Sequence, residues 1–147
     1  MNQVIFNGQE ISPSKVVCIG RNYVEHIHEL SNEMPDEMVV FNKPNSAVTT
    51  ELAAFHHEPL HYETEICFIV QQGELAGVAV GLDLTKRNLQ SKLKSKGLPW
   101  ERAKSFDGSA LFSEFVLFDG KLEGLRIECD INSELRQAGG VTQMIFQ

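Results

Sequence analysis

Glu63 and Glu65 stand two residues apart in the run His61-Tyr62-Glu63-Thr64-Glu65-Ile66-Cys67-Phe68-Ile69-Val70. The run is rich in β-branched and aromatic residues, which predicts a strand. Alternate residues of a strand share a face, so both carboxylates project the same way. Two neighbouring anions on so apolar a strand repel each other, and burying them without a partner is costly. A divalent cation resolves the conflict, because hard ions such as Mg2+ or Mn2+ take carboxylate, water and substrate oxygens. Asp83 is the third ligand predicted, at the end of the apolar run 77–82 and before a helical segment. An isolated Glu-x-Glu pair more often lines a solvated sheet face; other parts of this chain favour the metal. Cys67 shares the face of Glu65 but reads as core, since a thiolate is too soft for Mg2+. His56 and His57 are adjacent, are expected to point apart, and read as loop residues.

Several elements must position these groups. Residues 4–6 and 9–11 flank Asn7-Gly8, a pair suited to a type I′ hairpin turn. Residues 15–19 and 39–41 read as short strands. The segment 21–30 reads as a helix with Asn22 as its N-cap, on which His26 and Glu29 share a face. Residues 31–38 are polar and contain Pro35; together with that helix they are expected to form a lid. A strand over 78–82 is followed by a helix opening at Asp83-Leu84-Thr85, running through Lys96 and ending at Gly97. Leu89 and Leu93 form its buried stripe, and Arg87 and Gln90 share another face. Further strands are expected over 112–118 and 125–131, with another segment from Leu135. Strands thus dominate, and the pattern is α+β without a βαβ repeat.

Composition bounds the rest. The chain has 147 residues, 42% hydrophobic and 22% charged, which suits one globular domain, assigned here to residues 1–147. A net charge of −7 argues against non-specific nucleic-acid binding. No apolar run approaches a membrane span, and the N-terminus lacks the pattern of a secretory signal. Cys18, Cys67 and Cys129 are odd in number and lack a CxxC pair, which predicts reduced thiols in a cytoplasmic protein. The chain stops on the apolar run Met144-Ile145-Phe146, so a further segment or a partner subunit is expected to cover it.

The ordered motifs resemble the fumarylacetoacetate hydrolase family. They are Gly20-Arg21-Asn22-Tyr23 with His26 and Glu29, Phe41-Asn42-Lys43-Pro44, and His61-Tyr62-Glu63-Thr64-Glu65. Asp83-Leu84-Thr85-Lys86-Arg87-Asn88-Leu89-Gln90, Lys96-Gly97-Leu98-Pro99-Trp100, Ala103-Lys104-Ser105-Phe106 and Glu134-Leu135-Arg136-Gln137 follow in the same order. The resemblance is to the short, single-domain branch of acylpyruvases, oxaloacetate decarboxylases and aromatic-catabolism isomerases. It implies a mixed β-roll with short helices, a homodimer, and a metal held by Glu63, Glu65 and Asp83. It also implies a water-activating pair, His26 with Glu29, and a substrate lysine at Lys104. Arg87 and Gln90 match positions that meet substrate oxygens; Arg21 joins that set or, with Asn22, holds the helix start. The family's closing Thr-Gly-Thr-Pro stretch is absent from the sequence, so the roll is expected to be incomplete at its C-terminal end. Asn88 replaces a common Asp, and Asn132-Ser133 replaces Asn-Gly.

The chemistry implied is that of 2-oxo acids. A Mg2+ or Mn2+ ion would act as a Lewis acid on the enolate left when a C–C bond to C3 breaks. Decarboxylation of oxaloacetate and hydrolysis of an acylpyruvate share that enolate; hydrolysis also needs a base such as His26. The alternatives are isomerisation or hydration of an unsaturated oxo-dioate, or a catalytically silent member of the family. Taken singly, the His26–Glu29 pair, Lys104, Arg87 and Gln90 would be ordinary surface groups.

Overall fold

A computed structural model describes residues 1–23 and 36–146. Val4–Phe6 (β1) and Gln9–Ile11 (β2) pair antiparallel, with positive φ at both Asn7 (49°) and Gly8 (75°), as a type I′ turn requires. Lys15–Gly20 (β3) pairs antiparallel with Val39–Pro44 (β4). The central sheet is built from Val48–Thr49 (β5), His61–Gln71 (β6), Glu74–Thr85 (β7), Ala110–Phe112 (β8) and Val116–Leu117 (β9). Its order is β5-β8-β7-β6, with β9 also on β7. Only β5 and β8 run parallel within it. Arg126–Ile131 (β10) and Glu134–Gly140 (β11) form a last hairpin. The two described α-helices are short: Arg87–Lys94 (α1) and Glu101–Lys104 (α2). The strand-dominated α+β expectation is met.

Val4, Val48 and Phe115 centre the core, and Phe6, Val16, Cys67, Ile69 and Phe112 pack against them. The N-terminal hairpin is sewn to this core by main-chain bonds from Asn7 N–H to Phe115 O (2.9 Å) and from Phe115 N–H to Ile5 O (2.8 Å). Cys67 is therefore a core side chain, as expected.

One local reading changes. Asp83, Leu84 and Thr85 do not open a helix; they are the last residues of β7, opposite Glu63, Tyr62 and His61. The ladder to β6 satisfies their backbone, and Leu84 and Thr85 are buried, so the strand continues until Lys86. Gly97 does close the helical segment, with φ +64° and its N–H bonded to Lys94 O at 3.1 Å. The Asn22 side chain reaches the C-terminal run: Asn22 Oδ1 accepts from Phe146 N–H (2.8 Å) and Asn22 Nδ2 donates to Phe146 O (3.0 Å); the helix it was expected to cap lies outside the described residues. Tyr23 bridges Met144, so the apolar C-terminal run is half-buried against the exit of β3. His26, Glu29, the rest of the expected first helix and the lid residues 31–35 lie outside the described residues.

The β10–β11 turn carries an avoidable cost. Asn132 and Ser133 both hold positive φ (53° and 63°), where a serine Cβ crowds the following carbonyl. Ser133→Gly is expected to raise unfolding free energy by about 1 kcal/mol. Urea unfolding should show a higher midpoint with an unchanged slope.

Candidate active site

Strand register brings two acids face to face. Glu63 on β6 and Asp83 on β7 are direct cross-strand partners, an arrangement that repels when both are ionised. The ammonium of Lys104, at the end of α2, lies between them. Its Nζ donates to Glu63 Oε2 at 2.6 Å, to Asp83 Oδ2 at 2.8 Å and to Thr85 Oγ1 at 2.7 Å. The second oxygen of each acid has its own cation. Lys43 Nζ stands 2.9 Å from Asp83 Oδ1, and Arg87 donates to Glu63 Oε1. Lys43 also donates to Ser109 Oγ at 3.1 Å and to the Lys104 carbonyl. Arg87 turns its other amine to Gln90 Oε1, 2.5 Å away.

The elements explain the convergence. Lys86 N–H bonds Ala103 O at 3.1 Å, tying α2 to the end of β7 and aiming Lys104 back over Asp83. Glu58 Oε1 accepts the Asn88 N–H at 3.0 Å, a carboxylate at the positive end of α1. Gln90 and Leu93 are buried, so the Gln90 side of α1 faces protein. Lys43 and Lys104 are 1% and 2% exposed, deep enough for desolvation to compete with pairing. Burial pushes Lys43 below the usual lysine range, with Asp83 opposing. Burial also pushes Lys104 down, but the Asp83 and Glu63 charges and hydrogen bonds outweigh it, and the net direction is up.

Glu65 sits one same-face step along β6, opposite Gly81. A Cβ at Gly81 would fall 2.6 Å from Cys67 Sγ and 3.1 Å from Phe112 Cδ1, so only glycine fits there. Glu63 and Glu65 line a cavity of about 290 Å3 with Tyr23, Gln137 and Gly139. Burial first, then the Glu65 charge, pushes the Tyr23 phenol up to about 12. Burial first, then Asp83, pushes the Cys18 thiol up to about 12, and Cys67 rises for the same leading cause.

A cationic group completes the surroundings. The Lys94 ammonium is held below its usual range by burial and then by the charges of Arg21 and Arg87. Arg21 Cζ and Lys94 Nζ stand 6.0 and 5.9 Å from the centre of the Trp100 ring. Arg21 Nε, Arg87 Nε and the Tyr23 hydroxyl are buried without a hydrogen-bond partner among the described residues. Buried donors in this condition call for an acceptor.

Of the sequence-derived set, Glu63, Asp83, Lys104, Arg87 and Gln90 form one connected network. Glu65 flanks it across the same strand face, and Arg21 lies on its cationic side. His26 and Glu29 lie outside the described residues. The Glu63–Asp83 pair suits a hard dication: its donors are all oxygen, and a protein cation already bridges it. Among the described residues, no group of three His, Cys, Asp or Glu is placed to hold a metal ion; Lys104 takes the bridging place. His56 and His57 do not diverge as expected. The left-handed backbone of His57 (φ 63°) sets the two rings edge to face at 4.7 Å. Sequence reasoning gave no role to Lys43, Thr85, Lys94 or Ser109. Lys43 left a signal, as a lysine in Phe41-Asn42-Lys43-Pro44 just past the apolar run 39–41. The others left none.

Residues 15–147 match the family described as fumarylacetoacetate (FAA) hydrolase C-terminal. The chain is 36% identical to an oxaloacetate tautomerase of Escherichia coli, over 91% of this chain and 69% of that protein. It is 37% identical to a mitochondrial oxaloacetate tautomerase of Bos taurus, over 89% of this chain and 67% of the relative. Among solved structures, it resembles fumarylpyruvate hydrolase from Pseudomonas aeruginosa in complex with Mn2+ and pyruvate. That likeness has a TM-score of 0.85 and 28% identity, covering 99% of this chain and 72% of the other. The fold and site define a protein of the fumarylacetoacetate hydrolase class. The chain belongs to that family, and these relatives are enzymes named for oxo-acid reactions.

Lys104→Met tests the bridge. It leaves two facing carboxylates with one shared cation removed, and is expected to destabilise the chain by about 3–5 kcal/mol. Urea unfolding measures it, and a deficit within error of zero would contradict the bridging role.

Proposed function

We propose that this chain acts on small 2-oxo acids, and that its leading reaction is the keto–enol interconversion of oxaloacetate. The observation that carries the reading is the juxtaposition of the bridged acid pair with buried donors of Arg21, Arg87 and Tyr23 that find no partner among the described residues. An oxo-dicarboxylate brings anionic oxygens to such donors. Similarity to two oxaloacetate tautomerases supports the choice of substrate.

Under this reading each side chain has a task. Arg87, its fork held by Gln90, receives a substrate carboxylate in the planar geometry that guanidinium favours. Arg21 meets the second carboxylate. Lys104, whose three N–H donors go to Glu63, Asp83 and Thr85, exchanges one of them for the oxo oxygen, where negative charge develops as the proton leaves C3. A Mg2+ or Mn2+ ion held by Glu63, Glu65 and Asp83 would supply Lewis acidity to the same oxygens. His26, oriented by Glu29, is assigned as the base.

C–C cleavage, by hydrolysis of an acylpyruvate or decarboxylation of oxaloacetate, is the second reading. Likeness to the fumarylpyruvate hydrolase favours it. The two readings share an enolate and differ in what C3 releases: a proton, carbon dioxide or an acyl group. The proposal includes a homodimer in the cytoplasm. Exposed Val17, Ile19 and Val40, on one face of β3–β4, support the dimer, and three free cysteines support the compartment.

Stopped-flow absorbance of enol-oxaloacetate, carbon dioxide release and acylpyruvate cleavage should be measured in parallel with Mg2+ and Mn2+. Accelerated enol loss without carbon dioxide is expected. Acyl cleavage with no effect on the enol would reverse the order of the readings. Glu65→Gln is expected to weaken Mn2+ binding sharply with the fold intact, and unchanged affinity by calorimetry would remove Glu65 from the ligand set.

A further inference from the structure

β6 is the outer strand in the order β5-β8-β7-β6, so every second residue of it turns main-chain groups away from β7. Around Glu63 these are the Tyr62 carbonyl and the Thr64 N–H. Both are met by a single side chain 73 to 75 residues away. Gln137 Oε1 accepts from Thr64 N–H at 2.9 Å, and Gln137 Nε2 donates to Tyr62 O at 3.2 Å. An amide that accepts and donates in this way reproduces what a neighbouring strand would offer, at one residue only.

The hairpin is shaped for this contact. Its register runs Cys129↔Gln137 and then Asp130↔Leu135, so Arg136 is an extra residue on β11. A bulge of this kind bends its strand and re-aims side chains. Gln137 also lines the cavity beside Glu63 and Glu65.

We infer that Gln137 is a positioning residue: by clamping the backbone on both sides of Glu63, it sets where the Glu63 carboxylate stands relative to Lys104 and Asp83. The consequence for metal binding rests on the proposed function; the consequence for the Glu63–Lys104 pair does not. Glu63 is strung between the clamp on one side and Arg87 and Lys104 on the other. Losing the clamp leaves its charge and reach intact but lets the strand edge shift.

Two measurements test this on the full chain. Gln137→Ala should weaken Mn2+ binding in the presence of oxalate by roughly 10-fold or more by calorimetry, the range seen when groups that orient a ligand are removed. Gln137→Glu keeps the acceptor for Thr64, loses the donor to Tyr62, and should fall between. Separately, urea unfolding of Gln137→Ala, Lys104→Met and the double variant forms a cycle. Non-additive deficits are expected, because both residues act through Glu63. Full Mn2+ affinity in a Gln137→Ala chain whose melting temperature has dropped would reduce the residue to a structural tie and overturn the inference. If the unsubstituted chain binds no Mn2+, the proposed metal site fails. The cycle then decides alone: additivity overturns positioning, and coupling sustains it.

Discussion

Two carboxylates placed opposite each other by antiparallel register are the constraint around which this molecule is arranged. Glu63 and Asp83 cannot separate without breaking the β6–β7 ladder that also holds Leu84 and Thr85 in place. Left unpaired they would force a proton onto one of them or push the strands apart. Three cations answer them, and each comes from a different element: Lys43 from β4, Arg87 from α1 and Lys104 from α2. The charge problem thus ties the sheet to both described α-helices. It also explains why lysines as buried as Lys43 and Lys104 are tolerated, since each ammonium is surrounded by oxygen.

The neighbourhood divides into two chemical halves. Acids stand on rigid strands, where pleat and register hold them to a face. Arg21, just past β3, and Lys94, at the end of α1, gather beside Trp100, and the charge of Arg87 from the start of the same helix also bears on Lys94. Such a division suits a ligand with oxygens at both ends, one set to be held and the other to take up charge. Close packing along the acid face keeps it in register: Gly81, opposite Glu65, leaves room for Cys67. Gln137 completes the outer edge of the same strand.

Much of this was legible in the residues themselves. Period-two alternation with β-branched residues marked β6, Asn7-Gly8 marked the first hairpin, and Gly97 marked the end of α1. The like charge of Glu63 and Glu65 on an apolar strand announced that cations must be near. The sequence misplaced the boundary at Asp83 because Asp-Leu-Thr has the look of a helix start. Local preference yielded there to the cross-strand ladder and burial of Leu84 and Thr85.

What the chain alone determined was therefore which residues could do chemistry and which local elements would carry them, since charge, turn propensity and alternation act over a few neighbours. Tertiary structure decided who partners whom. Only pairing across β6 and β7 puts Asp83 opposite Glu63, only the docking of α2 brings Lys104 between them, and only folding makes Lys43 a buried cation. Those contacts join residues 20 or more positions apart, and no local pattern encodes them because their energy exists only once both surfaces have left water.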